Sequence, residues 1–214
     1  MFFTSQGIHG YESFLIAAVI FAMTPGLDTI FVLNKAFSKG RRAAVVGALG
    51  VNAGVMVHTL AAAFGLSVIL SQSAAAFTIV KWAGAAYLCW LGLRSITSKP
   101  MNFAALRDFN SQESILTSFR TGLIANVLNP KVALFVLAFF PQFINADAAG
   151  QAQPFFVLGV TYAAIGTIWY IILAWFAATL GSMLITTPSA SRWMNRASGL
   201  IFILLGARIA MTEK

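Results

Sequence analysis

The sequence predicts an all-α membrane protein of six transmembrane helices, and three observations predict it. Apolar residues make up 59% of the 214 positions and charged residues only 9%, against about 25% charged in a soluble domain. Mean hydropathy is +0.82, more apolar surface than so short a chain hides in a water-soluble core, which leaves lipid as its solvent. Six continuous apolar runs, each near the roughly 20 residues that cross a bilayer, are separated by short polar segments. Their continuity, without period-two alternation, argues against an outer-membrane β-barrel.

The first run, Tyr11 to Asn34, follows a start with no Lys or Arg before Lys35. It therefore lacks the basic leader of a cleavable signal peptide and is expected to stay as a helix. The second run spans Ala43 to Leu70 and the third Phe77 to Ile96; a polar linker at about 98–114 follows. The fourth, fifth and sixth run from Ile115 to Ile144, Pro154 to Leu184 and Arg196 to Met211. No segment reads as a separate soluble unit, so residues 1–214 form one membrane domain.

The net charge of +8 would raise nucleic acid as a partner if the basic residues formed one patch. They lie between the apolar runs instead, so nucleic acid is not expected. Lys35, Lys39, Arg41, Arg42, Arg94, Lys99, Arg107, Arg120, Arg192 and Arg196 fall on one side, and Lys81, Arg208 and Lys214 on the other. That bias places the first group in the cytoplasm and both termini outside it, in the bacterial inner membrane. Trp82 and Trp193 suit interfacial anchors on opposite faces. The single cysteine, Cys89, offers neither a disulfide framework nor a thiol relay.

The two halves resemble each other. Pro25 matches Pro130 at an offset of 105 residues; Gly47 and Gly54 match Gly159 and Gly166 at 112; Leu91-Gly92-Leu93-Arg94 matches Leu205-Gly206-Ala207-Arg208 at 114. Each half, about 11–97 and 115–212, holds three spans, an odd number. The second therefore enters the bilayer from the opposite side, an inverted repeat of the kind on which secondary transporters are built.

A proline inside a span removes a backbone donor and clashes with the preceding turn. It is tolerated where protein or a water-lined cavity satisfies the freed carbonyls. Thr24-Pro25-Gly26 and Asn129-Pro130 each read as a cap followed by a first-turn proline, so the first and fourth spans are expected to stop and restart. A restarted helix aims N–H groups and a positive dipole end at the membrane interior, where an anion fits. The alternative is two kinks in packed helices. Asp28 and Lys131 sit beside the breaks, deep in apolar runs, and must face the protein interior. They either pair with each other or serve a solute.

In the second span Gly47, Gly50 and Gly54 form a small-residue stripe, suited to close helix packing within the chain or to a homodimer. His58 follows on the same stripe, as a hydrogen-bonded core residue or a proton carrier. Asn52 and Thr59 form a second polar strip, and Gly159, Gly166 and Tyr170 take the corresponding places in the fifth span.

Taken in order, Thr24-Pro25-Gly26-Leu27-Asp28, the glycine-rich second span, Ala83-Gly84-Ala85-Ala86-Tyr87-Leu88, Leu91-Gly92-Leu93-Arg94, Asn129-Pro130-Lys131 and Phe139-Phe140-Pro141-Gln142-Phe143 resemble the LysE/RhtB family of amino-acid exporters. Leu27 stands where that family usually has a second proline, which softens the first break. The resemblance implies gradient-driven export of an amino acid or a close relative of one, the substrate left open. On this reading Thr24, Pro25, Gly26, Asp28, Asn129, Pro130 and Lys131 bind the solute; Asn52, His58 and Tyr170 line the cavity or carry protons. The solute carboxylate would sit at a half-helix N-terminus near Lys131, and its ammonium at Asp28. No GxxxxGK[ST] loop is present, which leaves protons as the coupling ion. A heavy-metal exporter would need clustered soft or imidazole ligands, and the chain offers Cys89, His9, His58 and scattered methionines; no metal or cofactor is expected. An enzyme ranks last, because neither a GxSxG elbow nor a cysteine pair occurs.

Overall fold

The computed structural model describes residues 6–98, 114–180 and 188–211. Most of the expected linker, with Lys99 and Arg107, lies outside them, as do the end of the fifth run beyond Leu180, Lys214 and the Arg208 side chain. The described chain is helical: α1 (Tyr11–Met23), α2 (Leu27–Ala61), α3 (Ser67–Gln72), α4 (Ala74–Thr97), α5 (Ile115–Val127), α6 (Pro130–Phe139), α7 (Ala152–Leu180) and α8 (Pro188–Met211). A π-helical segment at Ala62–Leu66 joins α2 to α3. No strand occurs among the described residues beyond an isolated antiparallel bridge, Ile8 to Ile144.

Both proline motifs break their spans. α1 ends at Thr24 and α2 restarts after Gly26, which is extended. The axis from Ile115–Val127 to Pro130–Phe143 bends by 56°. A third interruption falls at Gly40 (φ 81°, ψ 179°), a conformation open in practice to glycine alone. The Phe31 ring lies against Gly47, which in a straight helix would be about 24 Å away, so α2 folds back on itself. The charged stretch from Lys35 to Arg42 reads in sequence as a loop, yet it is helical up to this one residue, because Lys and Arg are good helix formers.

By length and apolarity alone, the stretch Leu27–Leu70, folded back at Gly40, holds a window apolar enough to cross a bilayer, as does Ala152–Ala177, and the bent pair Ile115–Val127 with Pro130–Phe143 makes a third candidate. Large apolar side chains face outward along most helices, among them Ile16, Phe64, Ile79, Leu128, Ile168 and Leu204. That surface suits lipid and would aggregate in water. Trp82 and Trp193 are exposed.

Inside, two apolar clusters form. The first gathers α1, α6, α7 and α8 around Phe14, Phe21, Phe135, Phe139, Phe155, Tyr162 and Phe202; the Phe21 and Phe135 rings stack at 3.8 Å. The second holds Val32, Leu33, Ala36, Ala44, Ala48 and Val51 of α2 against Tyr170, Leu173 and Ala174 of α7. Small residues set the helix spacing. A Cβ on Gly50 would strike the Phe119 carbonyl, one on Gly54 would meet Asn126 at 2.7 Å, and one on Gly92 the Gly199 carbonyl at 2.5 Å. Gly159 and Gly166 give the same room to Thr59 and Asn52 of α2. The stripe at Gly47, Gly50 and Gly54 is thus covered by Phe31 and α5, within the chain.

Candidate functional site

The break in the first span leaves two helix ends facing each other. At the end of α1, the Thr24 hydroxyl returns to the Ile20 carbonyl (2.7 Å), while the Thr24 carbonyl is free of the helix and accepts from Lys131 Nζ at 3.1 Å. Lys131 also lies over the Phe21 ring, 4.5 Å from its centroid. A cation at the start of α6 opposes that helix's own dipole, but the carboxyl-terminal end of α1 carries the favourable partial charge. Cation–π attraction to Phe21 adds to it. Lys131 is therefore balanced by the opposite break. Gly26 makes room for this arm: a Cβ there would stand 3.3 Å from Nζ.

Asp28 occupies the first turn of α2, where the helix dipole favours a carboxylate. It is buried, and it accepts from the side-chain amides of Asn126 (3.0 Å) and Asn129 (3.2 Å), which flank the second break. Mutual pairing is one of the two readings the sequence leaves open for Asp28 and Lys131; here each side chain bonds instead to the partner run's break. Asn129 has a second task, since its Oδ1 caps α6 by accepting from the Lys131 amide at 3.0 Å. Its carbonyl accepts from the Val132 and Ala133 amides, both at 3.1 Å. The first turn of α6 is consequently satisfied from within. The start of α2 differs, because its cap is Gly26 and no side chain accepts there.

Of the other residues singled out in the sequence, His58 joins this group: its Nε2 lies 3.1 Å from the Asn126 carbonyl. Asn52 is buried but donates to the Ala48 carbonyl (2.9 Å) and packs on Gly166. Tyr170 lies in the second apolar cluster. Sequence reasoning missed Asn126, Tyr87 and Asn195. The first lies three residues before Asn129, in the last turn of α5 just ahead of the break. Tyr87 donates to the Lys131 carbonyl at 3.2 Å. Asn195 of α8 binds Ser98 Oγ (2.8 Å), and its carbonyl accepts from Ser95 (2.8 Å).

A cavity of about 380 Å³ opens between the two breaks. Thr24, Pro25, Gly26, Leu27 and Ile30 line it from the first, Asn129, Pro130, Lys131 and Leu134 from the second. One face of α4 (Tyr87, Trp90, Leu91, Arg94, Ser95), Ser98 and Asn195 complete the wall. Asp28 is not among the lining residues. No group of three or more His, Cys, Asp or Glu gathers to hold a metal among the described residues.

Apolar helices facing outward and a cavity between two interrupted helices, with a lysine and buried asparagines at the breaks, fit an integral membrane transporter. The chain belongs to the LysE type translocator family, whose model matches residues 19–213. It is 33% identical over 207 residues to an uncharacterized membrane protein of Vibrio cholerae, covering 96% of this chain and 98% of that one. A homoserine/homoserine lactone efflux protein of Salmonella typhimurium is 31% identical over 198 residues, 92% and 94% of the two chains. An uncharacterized membrane protein of Bacillus subtilis is 31% identical over 223 aligned positions, 96% and 100% of the two chains. No solved structure matches the chain.

Proposed function

We propose that this protein is a secondary-active exporter of amino acids or closely related small metabolites across the bacterial inner membrane, working by alternating access at the cavity between the two breaks. One observation carries the reading: residues of both breaks line a single cavity, and Lys131 of one break binds the Thr24 carbonyl of the other. The likeness to a relative named for homoserine and homoserine lactone efflux supports the substrate class. Six spans in two inverted halves, 11–97 and 115–212 joined by the linker, agree with the packing. α7 runs antiparallel to the second arm of α2, Gly159 on Thr59 and Gly166 on Asn52. α8 runs antiparallel to α4, Gly199 on Gly92 and Gly206 on Ala85. A two-fold exchange of halves needs both. With both termini outside the cytoplasm, the basic connections lie within it.

In this reading the solute carboxylate sits at the uncapped start of α2, beside Lys131. Asp28, held by two amides away from the cavity wall, acts in coupling to proton entry rather than in first contact with the ammonium. His58 and Asn126 extend its polar surroundings, and the buried Asn126 Oδ1 has no hydrogen-bond partner. Such an atom is costly and tends to mark a working site. The test is Asp28→Asn in vesicles. Uphill, gradient-driven export should fall at least tenfold while exchange of labelled for unlabelled solute persists. Undiminished uphill export would remove Asp28 from coupling.

A further inference from the structure

We propose that Arg94 sets substrate charge: the cavity admits amino acids with an uncharged, hydrogen-bonding side chain and rejects those with a second ammonium. The inference rests on the exporter reading and deepens it. Two cationic side chains, Lys131 and Arg94, line the cavity, and no Asp or Glu does so among the described residues. The nearby carboxylate, Asp28, is turned to Asn126 and Asn129. Nothing in the described wall therefore offers an anion to a diamino acid.

The two cations stand at different levels. Tyr87 donates to the backbone carbonyl of Lys131, which sets this part of α4 beside the start of α6. Arg94 lies seven residues further along α4, about 10 Å on by helical rise. Its guanidinium lies 5.2 Å from the Trp90 ring centroid, and both residues line the cavity. A solute whose carboxylate meets Lys131 and the start of α2 keeps its α-ammonium next to that carboxylate, where the two charges largely cancel. Its side chain then extends toward Arg94, Ser95 and Asn195. Hydroxyl, amide and carbonyl groups there suit a hydroxyl or a lactone oxygen. An ammonium in the same place meets a guanidinium of like sign within a few ångströms, a repulsion worth on the order of tenfold in binding.

Homoserine and 2,4-diaminobutyrate test this directly, since they have the same heavy-atom framework and differ in a terminal hydroxyl or ammonium. Vesicles carrying the full chain are preloaded with each labelled solute and release is followed. The wild type should release homoserine at least tenfold faster, and Arg94→Glu should bring the ratio to within about twofold of one. Arg94 is an exposed side chain, so Arg94→Gln serves as the milder variant; it must lower the ratio at least threefold. Equal release of both solutes by the wild type, or a ratio unmoved by Arg94→Gln, overturns the charge filter and leaves the exporter reading in place. Release of neither by the wild type removes the exporter reading, and the filter with it.

Discussion

Gly50→Ala is the substitution whose cost follows most directly from the geometry. An added Cβ would fall on the Phe119 carbonyl oxygen, 2.9 Å from its carbon and 3.1 Å from the Leu123 amide nitrogen. All three are backbone atoms of α5, so no side-chain rotation relieves the clash and the two helices must part. Overpacking of this kind costs about 1–3 kcal/mol, and rigid backbone on both sides puts it at the upper end. Alanine's better helix propensity returns about 1 kcal/mol. The net loss of about 2 kcal/mol lowers the melting temperature by roughly 4–8 °C in a chain of this size. Gly65→Ala is the internal control, because nothing lies within 4 Å of a Cβ there. With the same helix-propensity gain and no clash, it should melt about 2–4 °C above the wild type. Cys89 supplies the readout: it is the single cysteine, half-buried at the α4–α8 interface, so a thiol-reactive dye in detergent reports loss of structure. If Gly50→Ala melts no lower than Gly65→Ala, the close α2–α5 approach is wrong.

Two further substitutions probe the breaks. Gly26→Ala meets only the flexible end of Lys131, so it should leave the melting temperature within about 2 °C while weakening solute affinity severalfold through the displaced ammonium; unchanged export kinetics would separate Lys131 from the solute. Gly40→Ala has open space for its Cβ but a backbone at φ 81° and ψ 179°, so it should cost about 1–3 kcal/mol by strain alone; a neutral result would mean that α2 turns some other way.

The parts legible in the sequence are those encoded locally. Thr24-Pro25-Gly26 and Asn129-Pro130 announce their breaks because proline cannot continue a hydrogen-bonded helix. The glycines of the second and fifth runs announce close packing because nothing else is as small. The hydrogen-bonding partners were not legible. Asp28 is held by amides 98 and 101 positions away, and asparagine in a membrane helix has many uses. Lys131 rests on a backbone carbonyl, a partner every residue possesses and no residue type signals. The fold-back at Gly40 was obscured by the charges around it, which read as a loop although one glycine makes the turn. The aromatic cluster of α1 and α6 was invisible for a different reason: nineteen phenylalanines in so apolar a chain carry no hint of which face each other.

The first break also falls on a seam. Phe14 and Phe21, before it, belong to one apolar cluster; Val32 and Leu33, after it, belong to the other. A rod crossing such a seam would have to flex whenever the two bodies shifted. α7 and the second arm of α2 cross the same seam unbroken, so the parting at Thr24 to Gly26 spares only the first run that strain, at a joint held by Lys131 on one side and Asp28 on the other.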